Sequence, residues 1–159
     1  MPASTTHPSV VLDAVTFAWP DGTPALANLA GAFSHARTGL VGRNGSGKST
    51  LIRTLVGLLP AVTGSVHVDG ADLRTLTPRQ RAGHLAYVGQ EEAPPEDLLV
   101  GEMVAMGRIP HRPPWSVGAK GERRIVLDAL ASVGLAHKVD HPCQHMSGGE
   151  RRRAMLARG

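Results

Sequence analysis

Residues 42–50 read Gly-Arg-Asn-Gly-Ser-Gly-Lys-Ser-Thr, and this stretch restricts the fold more than any other in the chain. Gly42, Gly45 and Gly47 permit backbone angles that a Cβ would forbid. The loop of Arg43, Asn44 and Ser46 between them can then curl until several N–H groups point inward at a phosphate. Lys48 supplies a positive charge for the outer phosphates of a nucleotide, and the Ser49 hydroxyl is a ligand for Mg²⁺. Gly42 to Ser49 spell the pattern G-x-x-x-x-G-K-[ST], and Thr50 follows with one further hydroxyl. A helix beginning here sets its N-terminal partial charge against the same anion. Such a loop needs a strand before it and a helix after it. Arg37 to Val41 reads as a short strand. Ser49 to Leu58 reads as a helix with Leu51, Ile52, Leu55 and Leu58 on one apolar face.

A second glycine-rich turn lies downstream. Met146-Ser147-Gly148-Gly149-Glu150 precedes Arg151 to Arg158, which reads as a helix. A serine and two glycines at a helix start form another anion cradle. Taken with the phosphate-binding loop, this segment resembles the signature motif of ATP-binding cassette (ABC) proteins. In that family the signature caps ATP held by the loop of a second subunit, in a head-to-tail dimer. The resemblance therefore implies that Ser147, Gly148, Gly149 and Glu150 meet ATP in trans. Met146 stands where relatives carry Leu, and the two fill similar apolar volume.

Other segments carry the same resemblance. Tyr87-Val88-Gly89-Gln90 ends an apolar strand, Leu85 to Val88, and is similar to the family's Q-loop, where the glutamine reaches Mg²⁺ and links the nucleotide to a membrane partner. This implies Gln90 as a second Mg²⁺ contact. Phe17-Ala18-Trp19-Pro20-Asp21-Gly22 resembles the adenine-stacking segment, with Trp19 offering its flat indole face. Packing of Trp19 in the core is the alternative. Leu99 to His111, with Gly107-Arg108-Ile109-Pro110-His111 and then Trp115, looks like the segment found in importers of iron–siderophore complexes, haem and cobalamin.

Composition narrows the class. At 159 residues the chain has room for one ordinary core. It shows no secretory h-region and no apolar run of membrane-spanning length, so a soluble chain is expected, with membrane contact through a partner. The single cysteine, Cys143, forms no internal disulfide, which suits a reducing cytoplasm. His141, Cys143 and His145 alternate, but the spacing matches no zinc pattern. Net charge is +4. Its one concentrated run, Arg151 to Arg153, lies on the signature helix with few aromatics for base stacking, so direct nucleic-acid binding is not expected. Only Lys48, Lys120 and Lys138 are lysines among 17 basic residues, a bias that looks like a high-GC prokaryotic genome.

The expected fold is α/β: a partial P-loop NTPase core of ABC type, with an N-terminal antiparallel β-subdomain and an inserted α-helical subdomain. The strand reading covers residues 9–19, parts of 25–41, and Gly64 to Val68 up to the Asp69-Gly70 turn. Thr77-Pro78-Arg79-Gln80 has a capping-box pattern before a short helix. Two helices are expected in 91–145, the second over Val117 to Val133, with Val126, Leu130 and Val133 on one face and Gly134 as its stop. The domain reading is one incomplete cassette domain over 1–159. Residues 1–90 form the β-subdomain with the P-loop and Q-loop core, 91–145 the helical subdomain, and 146–159 the signature and the start of its helix.

No apolar strand in the chain ends in Asp-Glu, so the Walker B strand, the catalytic glutamate and the switch histidine of the family have no counterpart here. No catalytic residue is therefore assigned, and a fragment that binds ATP without hydrolysing it is expected. The resemblance implies ATP and Mg²⁺ as ligands, and permease subunits as partners through the helical subdomain and Q-loop. It also implies a head-to-tail homodimer, indirect dealings with a periplasmic or lipoprotein substrate-binding protein, and a place at the cytoplasmic face of the membrane. Two alternatives stand beside this: a soluble cassette protein acting on ribosomes or DNA, and a non-functional truncated remnant.

Overall fold

Val10–Ala18 buries Leu12, Val15 and Phe17 and forms strand β1, paired antiparallel with β2, Pro24–Phe33. The turn between them is built by its own residues. Gly22 adopts φ +85° and donates to the Trp19 carbonyl at 2.9 Å, while the Asp21 carboxylate accepts from the Thr23 N–H at 2.9 Å. Strand β3, Thr63–Val68, pairs with the other edge of β1. It turns through Asp69 and Gly70, with φ of +50° and +83°, into the short β4, Ala71–Asp72. Positive φ at both central residues is what a two-residue hairpin requires. The sheet order is β2-β1-β3-β4. These statements come from a computed structural model describing residues 10–34, 37–89, 98–112 and 121–159.

The chain divides after Leu85 into two units, each with its own core. In the first, one sheet face buries Leu12, Val15, Phe17, Leu26, Val66, Val68 and Leu73. Helix α1, Lys48–Leu55, lays Leu51 and Leu55 against that face. Helix α2, Pro78–His84, starts at the expected capping box: Thr77 Oγ1 accepts from the Gln80 N–H, and Gln80 Oε1 accepts from the Thr77 N–H at 2.9 Å. The Arg81 guanidinium then donates to the Gly57 carbonyl at 2.9 Å, tying α2 to the turn that ends α1.

The second unit is helical. Helix α3, Val100–Ala105, runs on into a 3₁₀ turn over Met106–His111. It packs with α4, Glu122–Ser132, and α5, Gly148–Arg158. Val100, Met103, Leu130, Leu135 and Cys143 are wholly buried there. Val126 and Leu130 form the inward face of α4, with Val133 packed behind them, and Gly134 ends the element at φ +73°. No helix among the described residues is long and apolar enough to cross a membrane.

Two expectations are corrected. Arg37 to Val41 and Leu85 to Val88 read as strands, yet neither has a ladder partner among the described residues, and neither is a strand. A strand exists only through its neighbour's hydrogen bonds, and Val41 is left 91% exposed. Helix α1 stops at Leu55, because Gly57 takes a left-handed conformation (φ +73°); Leu58 lies past the end and is exposed, as is Ile52. Thr50 and Thr54 take the buried positions instead, with Thr54 Oγ1 donating to the Thr50 carbonyl at 2.9 Å. The expected helix start at Val117, like Trp115, lies outside the described residues, and α4 is described from Glu122 onward.

Candidate functional site

The phosphate-binding loop leaves Val41 and closes into α1. Gly45 and Gly47 adopt φ of +81° and +83°, so both use the freedom that their lack of Cβ allows. Two further close approaches favour glycine, the one at Gly47 being against backbone. A Cβ on Gly42 would meet Ser46 Oγ at 2.7 Å, and one on Gly47 would meet the Ala25 carbonyl at 2.9 Å. The second contact seats the loop on the start of β2. Ser46 N–H donates to the Arg43 carbonyl at 3.2 Å, closing the turn.

Helix α1 begins at Lys48 with no side chain capping its first N–H groups. Those groups are left to an external acceptor, the condition under which a helix start binds an anion. Lys48 Nζ reaches back over the loop and donates to the Gly42 and Arg43 carbonyls, at 2.7 and 2.6 Å. The ammonium is thus held across the loop's mouth. The exposed Ser49 hydroxyl has no hydrogen-bond partner among the described residues, which leaves it open to a ligand. Arg43, Asn44, Gly45 and Ser46 are exposed, whereas Thr50 is buried and turned toward the core.

Trp19 sits at the turn between β1 and β2. Its ring meets that of the buried Phe17 edge-on, with centroids 5.0 Å apart and planes at 88°. Phe17 in turn pairs with Leu26, whose side chain is the neighbour a Gly47 Cβ would meet at 3.4 Å. The indole and the phosphate loop therefore occupy the same end of one hairpin. Trp19 is 38% exposed, so it is supported by the core without being enclosed in it.

In the helical unit Ser147 is the N-cap of α5. Its hydroxyl lies 3.3 Å from the Glu150 N–H, which donates to it, and Glu150 Oε2 accepts from the Ser147 N–H at 3.0 Å. The other carboxylate oxygen, Oε1, meets Lys138 Nζ at 2.6 Å. The Lys138 ammonium and the Ser147 donors hold the Glu150 carboxyl down from the ordinary 4.5 to about 2. Gly148 and Gly149, the first two helical residues, have N–H groups with no acceptor among the described residues. Met146 is buried in the core, which matches its reading as a substitute for Leu.

Sequence reasoning missed Lys138. It lies twelve residues before Glu150, across a 3₁₀ turn and a loop, so no local pattern joins them; the only trace was that lysine is rare in this chain. The S-x-x-E capping box itself was legible. Gln90 lies outside the described residues. Cys143 turns inward, its sulfur 3.9 Å from Met103 Sδ, while His141 and His145 are exposed. No metal-ligating group is formed among the described residues.

Residues 31–159 match the ABC transporter family. The chain is 36% identical over 120 residues to the ferric enterobactin transport ATP-binding protein FepC of Escherichia coli K12, covering 76% of this chain and 44% of that protein. It is 38% identical over 123 residues to the hemin import ATP-binding protein HmuV of Bordetella pertussis, covering 77% and 46%. The chain thus spans less than half the length of these relatives. Among solved structures, an ATP-binding cassette of an ABC transporter in its ADP conformation superposes with a TM-score of 0.80 at 23% identity, covering 96% of this chain and 64% of that one. This last likeness bears on the fold.

Proposed function

The chain belongs to the ABC transporter family, and from that premise we propose that it is the ATP-binding part of an importer subunit, taking up an iron–siderophore, haem or cobalamin complex. The observation that carries the nucleotide reading is the loop over 42–50, with an uncapped helix start behind it and Lys48 poised over its mouth. When ATP binds, its outer phosphates take the N–H groups of Gly45 to Ser49 and draw Lys48 Nζ from the two carbonyls. Ser49 holds Mg²⁺, with Gln90 as the second contact, and Trp19 stacks on adenine. Ser147, Gly148, Gly149 and Glu150 cap ATP bound to a second copy. The ferric enterobactin transport and hemin import relatives support the importer class. In that setting the subunit works on the cytoplasmic side of the membrane, attached to permease subunits through its helical part.

Within these residues no apolar strand ends in Asp-Glu to supply the carboxylate that polarises an attacking water, as phosphoryl transfer needs. A polypeptide of residues 1–159 is therefore expected to bind ATP and release no phosphate in a steady-state assay with Mg²⁺. Turnover that persists on purification and vanishes in Lys48→Ala would contradict this. Binding itself is tested by titrating ATP into wild type and Lys48→Ala. Loss of the charge-assisted contact should cost about 1.5–3 kcal/mol. Equal, saturable affinities would remove the assignment of the loop.

A further inference from the structure

We propose that Lys138 is a positioning residue for the signature serine, fixing Ser147 for the terminal phosphate of a nucleotide bound to a second copy of this chain. This rests on the trans-capping reading above and goes beyond it. The carboxylate of Glu150 is the hinge of the arrangement. It sits three residues into the same helix start that must receive a phosphate, and a negative charge there competes with any incoming anion for the helix's positive end. Two contacts turn this competitor into a support. Lys138 Nζ holds Oε1 at 2.6 Å, which compensates the charge. Oε2 is thereby pinned at 3.0 Å from the Ser147 N–H and 3.1 Å from its hydroxyl.

The consequence is a division of donors. Glu150 takes the Ser147 N–H, Ser147 Oγ takes the Glu150 N–H, and the Gly148 and Gly149 N–H groups are left for the ligand. With Lys138 removed, the carboxylate has lost the one cationic partner it has among the described residues and is free to swing across those glycines. The Lys138 and Glu150 side chains are each about four-fifths covered, so solvent does not readily replace the ion pair. Lys138 is also one of three lysines in an arginine-rich chain, and another of the three is Lys48 at the phosphate loop. A compact ammonium fits between the 3₁₀ turn at Ala136–Lys138 and the start of α5, where it acts as a point charge.

The test compares wild type with Lys138→Met, Lys138→Arg and Glu150→Gln in the 159-residue chain. NMR follows the titration of the Glu150 side chain, where it is retained, and amide exchange at Ser147. Sedimentation follows self-association with ATP and with ADP. In Lys138→Met the Glu150 carboxyl should titrate closer to an ordinary glutamate and the Ser147 amide should lose protection. ATP-dependent association should weaken at least tenfold while ATP affinity at the 42–50 loop stays unchanged. Glu150→Gln, which keeps an acceptor for the Ser147 N–H and removes the competing charge, should weaken association less than Lys138→Met does, and Lys138→Arg should keep most of the wild-type association. Unchanged helix content by circular dichroism separates uncoupling from unfolding. Identical Glu150 titration and Ser147 protection in wild type and Lys138→Met would overturn the proposal, as would equal ATP-driven association in the two. Failure of the wild type itself to associate with ATP would instead overturn the trans-capping reading.

Discussion

Single residues show where this chain has no freedom. Gly64 adopts φ +79°, and a Cβ there would fall on the carbonyl oxygens of Asp13 and Ala14. Those residues form a bulge: the ladder steps from Leu12–Gly31 to Val15–Leu29, leaving one extra residue in β1, and Ala14 takes φ +50° to absorb it. Gly70 adopts a similar φ of +83° in open space. Gly70→Ala should therefore cost about 1–2 kcal/mol, the left-handed penalty alone. Gly64→Ala should cost roughly 2–5 kcal/mol, because overpacking is added. Denaturation followed by β-sheet signals separates the two, and equal effects would remove the steric argument. The glycine pattern of 42–50 was legible because each glycine answers to a phosphate loop. The bulge was not, since nothing about an alanine announces a positive φ. At Trp19, the sequence left stacking and core packing open; its exposure and its edge-on support from Phe17 favour the first. Trp19→Tyr should keep most ATP affinity and Trp19→Ala should lose it, with GTP and ATP equally affected because stacking is facial.

Elements in this molecule are set largely by their ends. Thr77 and Gln80 cap α2 reciprocally, and Ser147 and Glu150 do the same for α5. Both boxes can be read from four residues, because the geometry that makes them is local. Element lengths were less legible. Helix α1 was expected to run to Leu58, but the left-handed Gly57 ends it early. The two caps should respond differently to acid. Gln80 does not titrate, so the start of α2 has no acid-labile cap. Glu150 is held down from 4.5 to about 2, so its support of α5 is fully present above pH 4.5 and is lost as pH falls through about 2. Amide exchange at Ser147 should therefore quicken between those values, with no matching change at Thr77. Parallel behaviour of the two amides would contradict the assignment of the Glu150 contacts.

At the scale of the whole molecule, local pattern gave way to missing neighbours. Leu40-Val41 and Leu85 to Val88 are apolar segments that a parallel sheet could bury, and nothing among the described residues pairs with them. Periodicity reports what a segment could bury, not whether a partner is there to bury it. Unpaired strand edges are templates for association with other chains. The amides of Gly39 to Val41 and Ala86 to Val88 should thus exchange freely, and the chain should aggregate more readily than its cores alone suggest. A single cooperative transition of soluble monomer, with protection across 37–41, would show otherwise. The loop over 42–50 and the capped start of α5, by contrast, are each formed within one unit, and this is why the loop over 42–50 carries the account. The most direct measurement of it is amide NMR of the chain titrated with Mg²⁺ and ATP. Signals of Gly45 to Thr50 should shift saturably, together with loss of the Lys48 contacts to Gly42 and Arg43, and Lys48→Ala should abolish the response. Well-resolved signals from 42–50 that do not move at millimolar ATP would contradict it.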